Sequence, residues 1–130
     1  MTRILLAEDN EDNFNMLSRR LIRKGFEVIG AANGEIAVHK AETEMPDIVL
    51  MDISMPVKSG LDATREIRDN PALRNIPIVA LTAHVGKKDR DSCFDAGCDA
   101  FEGKPVNFAN LIETMTNVLA IKGKTLEFAS

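Results

Sequence analysis

The sequence contains no tryptophan, no tyrosine, two cysteines and no excess of basic residues among its 130 positions. Without Trp or Tyr it lacks the rings that would stack on a flavin. Lys and Arg number 16 against 20 Asp and Glu, a net charge of −4, which argues against the electrostatic footprint of a phosphate backbone. Nucleic acid is therefore not expected as a direct partner. Long apolar runs are absent too: IVLM at 48–51 is about five times too short to cross a bilayer. No charged-then-apolar leader opens the chain, so membrane and secreted readings fall away as expectations. Cys93 and Cys98 stand in neither a CxxC nor a zinc-like spacing and read as free thiols of a cytoplasmic protein. What remains, 45% apolar and 28% charged residues, is the make-up of one compact domain.

Hydrophobic periodicity divides the chain into alternating short apolar runs and amphipathic stretches. ILLA at 4–7 ends abruptly in EDNEDN, as a strand covered on both faces would. Asp12 or Asn13 can cap the helix that follows, with Asn10 as a further capping residue. In that helix Phe14, Leu17 and Leu21 share one face, Arg19, Arg20, Arg23 and Lys24 occupy others, and Gly25 ends it. A second strand is expected at 27–31, a turn or cap at Asn33-Gly34, and a helix over 35–44. IVLMD at 48–52 reads as a buried strand, MPVKSG as a loop, 61–68 as a helix, IVAL at 78–81 as the fourth strand and 87–96 as a charged helix closed by Gly97. A short fifth strand around 100–102 precedes a helix from Phe108, in which Leu111, Ile112, Met115, Val118 and Leu119 follow helical spacing. The reading places one domain over 1–121 and a frayed tail over 122–130. Five strands alternating with five helices favour right-handed crossovers and a doubly wound α/β domain with a parallel sheet.

In such sheets function gathers at the carboxyl ends of the strands. The first strand delivers Glu8 and Asp9, the third Asp52, the fourth Thr82, and the fifth is followed by Lys104. Crowded carboxylates repel unless a cation neutralises them, and oxygen ligands alone suit a hard ion such as magnesium. Taken singly, Asp9 or Asp12 reads equally well as a helix cap. Asp52 directly ends the most apolar run, where a caged carboxylate can attack phosphorus and form an acyl phosphate, with the Lys104 ammonium and Thr82 hydroxyl supplying positioning and charge. Lys104 precedes Pro105, which permits a cis peptide at a cost of about 0.5–1 kcal/mol; judged alone, it is also a plausible surface lysine before a helix-starting proline. A flavin or nucleotide module would need a Gly- or Ser-rich loop where EDNEDN stands. An aspartyl-phosphate phosphatase would need a second acid where Ser54 stands.

AEDN at 7–10, PDIVLMDISMPVKSG at 46–60, IPIVALTA at 76–83 and AGCDAFEGKP at 96–105 together closely resemble the receiver domain of bacterial two-component response regulators, from Arg3 to about Leu119. The resemblance implies a flavodoxin-like fold with strand order 2-1-3-4-5. It also implies a phosphorylation-activated switch or phosphorelay intermediate, with Asp52 accepting a phosphoryl group from a sensor histidine kinase or histidine phosphotransfer protein. Magnesium would be held by Asp9, Asp52 and the main-chain carbonyl of Ser54, preferred over that of Ile53, with Glu8 reaching the ion through water. Thr82 and Lys104 would bind phosphoryl oxygens, and catalysis would extend only to the chain's own phosphorylation and slow dephosphorylation. Two departures stand out: the first acid is Glu8 rather than aspartate, and the aromatic switch position holds Phe101, where many relatives have tyrosine. Ser54 and His84 occupy the positions that tune phosphoryl lifetime in the family, although His84 also reads as a solvated loop histidine. Thr82 moving toward the phosphoryl group would free space for Phe101 to turn inward, remodelling a docking surface of the fourth helix, fifth strand and fifth helix for an effector protein. A stand-alone receiver is expected, with a piece of a longer hybrid kinase as the alternative.

Overall fold

A computed structural model describes residues 1–127. Five parallel strands, β1 (Arg3–Ala7), β2 (Glu27–Ala31), β3 (Ile48–Asp52), β4 (Ile78–Thr82) and β5 (Ala100–Gly103), form one sheet in the order β2-β1-β3-β4-β5. Between and after them run α1 (Glu11–Lys24), α2 (Gly34–Glu44), α3 (Gly60–Asp69), α4 (Lys87–Ala96) and α5 (Phe108–Ile121). This is the flavodoxin-like fold that the resemblance implies. Every residue of β3 and β4 is buried, which is why those strands read as unbroken apolar runs rather than alternating ones.

The sheet separates two cores. On one face Leu5, Val49, Met51 and Ile78 pack with Ala37, Ala63, Ile67 and Cys93 from α2, α3 and α4. On the other Ile4, Leu50, Val79 and Leu81 pack with Leu21 of α1 and Leu111, Met115 and Leu119 of α5. Because side chains alternate along a strand, continuing the α1/α5 face to the carboxyl edge reaches Glu8 after Leu6, Asp52 after Leu50 and Lys104 after Ala100 and Glu102. Strand register aligns these tops, with Ala7 beside Met51, Asp52 beside Leu81 and Thr82 beside Gly103. Strand order reverses between β1 and β3, so the acids emerge at the crevice where such sheets bind ligands.

Of the capping residues expected for α1, Asn10 is the one used, rather than Asp12 or Asn13: its Oδ1 accepts the Asn13 N–H at 2.9 Å, while Glu11 and Asp12 fall in the first turn, where they complement the helix dipole. The described part of the tail, 122–127, does not fray. The Thr2 N–H donates to the Glu127 carbonyl at 3.1 Å, the Glu127 N–H donates to Thr2 Oγ1 at 2.8 Å, and Leu126, 7% exposed, joins the α1/α5 core. Residues 128–130 of the expected tail lie outside the described part.

The loop from β3 to α3 is held tightly. A Cβ on Gly60 would stand 2.2 Å from the Asp52 carbonyl oxygen, and one on Gly34 2.1 Å from that of Lys58, so only glycine lets α3 and α2 approach β3 and its loop this closely. At the loop's apex the Lys58 N–H donates to the Pro56 carbonyl at 2.8 Å, closing a γ-turn around Val57, whose φ is 69°. A β-branched residue is strained there, and at 76% exposure Val57 recovers little by packing. Val57→Gly is therefore expected to stabilise the fold by about 0.5–1 kcal/mol, strain relief exceeding the added chain entropy. Thermal unfolding checks this; a lower midpoint in the variant would contradict it.

Candidate functional site

Three strand ends converge on one buried cluster. Lys104 Nζ donates to Glu8 Oε1 at 2.8 Å and lies 3.1 Å from Asp52 Oδ2. Asp52 Oδ1 accepts the Ser54 N–H at 3.2 Å, and Glu8 Oε2 accepts the Asn10 N–H at 3.3 Å. Asp52 is 4% exposed and Glu8 6%, whereas Asp9 is open to solvent. One carboxylate oxygen from each of Glu8, Asp9 and Asp52 lies within 4.8 Å of the others, a set of hard oxygen donors that fits a small divalent cation. The Lys104–Pro105 peptide is cis. Beside the cluster, between α1 and the segment after β5, opens a groove of about 400 Å³ lined in part by Leu17, Arg20, Pro105 and Val106.

Two buried acids facing one ammonium cannot both ionise freely. Burial, and then the neighbouring Glu8, push the Asp52 carboxyl up to about 7 against the pull of Lys104. Burial alone would raise Glu8 as well, but its hydrogen bonds with Asp52, Lys104 and the Asn10 backbone outweigh it and hold that carboxyl below its usual range. Burial would lower Lys104, yet the hydrogen bonds to Glu8 and Asp52 prevail and keep it firmly cationic. Of the two buried acids it is therefore the carboxylate that ends β3 that keeps its proton to the higher pH. Both thiols are remote from this chemistry: Cys93 and Cys98 are buried and free, and burial pushes Cys98 up to about 12.

The remaining candidates ring the pocket. Thr82 is buried, and its hydroxyl is engaged with the backbone of His84, accepting the N–H at 3.0 Å and donating to the carbonyl at 3.2 Å. The side chains of His84 and Ser54 are exposed. Phe101 lies against α4, its ring 6.3 Å from that of Phe94 in an edge-to-face arrangement and 4.9 Å from the Arg90 guanidinium carbon. The strand-end reading brings Glu8 and Lys104 together, and the structure pairs them although they are 96 residues apart; periodicity gave no hint of Arg90 and Phe94 as neighbours of Phe101.

The family model of the response regulator receiver domain matches residues 4–116. The chain belongs to this family. Among its relatives, the polar-differentiation response regulator DivK of Brucella anthropi is 36% identical over 116 residues, 89% of this chain and 94% of that protein. The receiver domain of a sensor histidine kinase from Pseudomonas aeruginosa, solved with magnesium coordinated in its active-site cleft, superposes with a TM-score of 0.84 at 37% identity, covering 95% of this chain and 98% of that one. The receiver domain of the Saccharomyces cerevisiae response regulator Ssk1, solved together with the histidine phosphotransfer protein Ypd1, gives a TM-score of 0.86 at 28% identity over 93% of this chain and 90% of that one. As a receiver domain the chain takes part in two-component phosphorylation signalling. Among its described residues no helix is long and apolar enough to cross a membrane.

Proposed function

We propose that this receiver accepts a phosphoryl group on Asp52 from the phosphohistidine of a sensor kinase or phosphotransfer protein, and acts as a switch or relay intermediate. The observation that carries the reading is the half-buried Lys104 ammonium held between Glu8 and Asp52 at 2.8 and 3.1 Å. It places a cation beside the carboxylate whose oxygen would bond phosphorus as the donor's phosphorus–nitrogen bond breaks. Phosphoryl transfer depends mainly on positioning and charge neutralisation, and each neighbour has a part in it. Glu8, Asp9 and Asp52, with the Ser54 carbonyl, would hold Mg2+, which supplies neutralising charge to phosphoryl oxygens. Lys104, 3.1 Å from Asp52 Oδ2, would offer a second positive charge. Thr82 would leave its turn with His84 to donate to a phosphoryl oxygen, and Phe101 would follow inward.

Ser54 and His84, exposed at the rim, would set the lifetime of the phosphorylated form by admitting or blocking water, so that the chain slowly dephosphorylates itself. The face of α4, β5 and α5 would present the change to an effector protein. A cytoplasmic setting suits two free buried thiols.

Incubation with Mg2+ and phosphoramidate is expected to add one hydroxylamine-labile phosphoryl mass, absent from Asp52→Asn and from samples stripped of divalent ions. Equal labelling of Asp52→Asn would overturn the reading.

A further inference from the structure

The geometry points to Arg90 as a positioning residue that holds the Phe101 ring on α4 in the unphosphorylated chain, and so sets how readily this receiver switches. The inference rests on the reading of Phe101 and Thr82 given above and adds a residue to it.

Phe101 stands beside Ala80 in the β4–β5 register and packs on the core shared by α2, α3 and α4. Side-chain alternation puts Thr82, two residues beyond Ala80, on that same face of the neighbouring strand. On the switch reading above, the ring has two resting places, one against α4 and one toward Thr82. In this structure it occupies the first. Arg90 and Phe94 are four residues apart on α4 and so share a helix face. Phe94 meets the ring edge-to-face at 6.3 Å and 89°, and the Arg90 guanidinium carbon sits 4.9 Å from the ring centroid. Phenylalanine carries no hydroxyl that a hydrogen bond could hold, so the ring is retained through its π-face and edge alone. Thr82 meanwhile is tied to the His84 backbone, leaving its own movement to the phosphoryl group and the ring's release to α4. A ring turned toward Thr82 loses the guanidinium, so contact with Arg90 favours the resting state.

The test uses the full chain and two readouts: the population of the minor Phe101 ring conformer by NMR without metal, and the beryllofluoride concentration for half-saturation with Mg2+. Arg90→Ala and the uncharged Arg90→Gln are each expected to raise the minor conformer and lower the half-saturating concentration by about two- to five-fold, the scale of an exposed cation–π contact. Arg90→Lys, which keeps the charge, should remain closer to the unmodified chain. In a Phe101→Leu background, where only the beryllofluoride readout remains, Arg90→Ala should leave the half-saturating concentration unchanged, because the ring it acts on is gone. Unchanged values in Arg90→Ala, or the same shift with and without the Phe101 ring, overturn the inference while leaving phosphoryl acceptance by Asp52 intact. Failure of the unmodified chain to bind beryllofluoride overturns both.

Discussion

Lys104→Ala is expected to slow phosphoryl acceptance from phosphoramidate by about 10²–10³-fold at saturating Mg2+, the usual loss when one preorganised charge-stabilising group is removed. Lys104 contributes twice. Its ammonium lies 3.1 Å from Asp52 and 2.8 Å from Glu8, so it lowers the proton affinity of the buried acids in the resting state and, on the proposed reading, would offer positive charge to arriving phosphoryl oxygens. Without it the two carboxylates face each other with no fixed cation, and a proton on them is held more tightly. The loss should therefore be larger at pH 6 than at pH 8, because the lower pH favours the protonated acid. Rates by intact-mass spectrometry at both values decide the point, and a loss below about ten-fold, independent of pH, would mean that Lys104 only packs.

Asp52→Asn is expected to make the metal-free protein more stable at pH 8 by about 1–3 kcal/mol, with the advantage gone below pH 4. The folded chain holds a proton on Asp52 up to about pH 7, whereas the unfolded chain releases it near 3.8. Between these values the folded state binds more protons, so stability falls as pH rises. Glu8 runs the other way. Its carboxyl is lowered from 4.5, so its contribution is in place above that value and fades only in stronger acid. Lys104, raised from 10.5, contributes stability that is fully present below that value and lost only as pH rises through its higher folded one. The window from about 4.5 to 7 therefore belongs to Asp52. Asparagine removes the buried charge while leaving Lys104 its contact with Glu8. Urea unfolding with chelator across this window measures the effect, and a variant less stable than the unmodified chain at pH 8 would contradict it. Saturating Mg2+ should reverse the ranking, since a ligand that binds only the folded state stabilises it.

Sequence reasoning located β2, β3 and α4 to the residue because each is bounded by strong signals: Gly25 and Asn33 around β2, Pro46 before β3, and Gly86 and Gly97 around α4. The acids were legible for the same reason, since runs such as IVLM end in a carboxylate that only a strand end can explain. The cap of α1 was not: EDNEDN offers several capping side chains in a row, and the choice of Asn10 depends on where β1 stops. The docking of Leu126 was invisible because the core it joins is assembled from distant parts of the chain, including Ile4, Leu21 and Ile48. Val57 opposes its own backbone propensity, so no local rule places it at positive φ. The residues around Phe101 were missed because Arg90 lies in a polar helix with no apolar stripe to mark it.

The most direct test of the central claim is to locate the phosphoryl group. The chain should be labelled with phosphoramidate and Mg2+, reduced with borohydride so that an aspartyl phosphate becomes homoserine, then digested and sequenced by mass spectrometry. A single conversion at position 52, lost when Mg2+ is chelated, is the expected result. Conversion at Asp9 or another residue, or labelling at 52 that persists without a divalent ion, would contradict it.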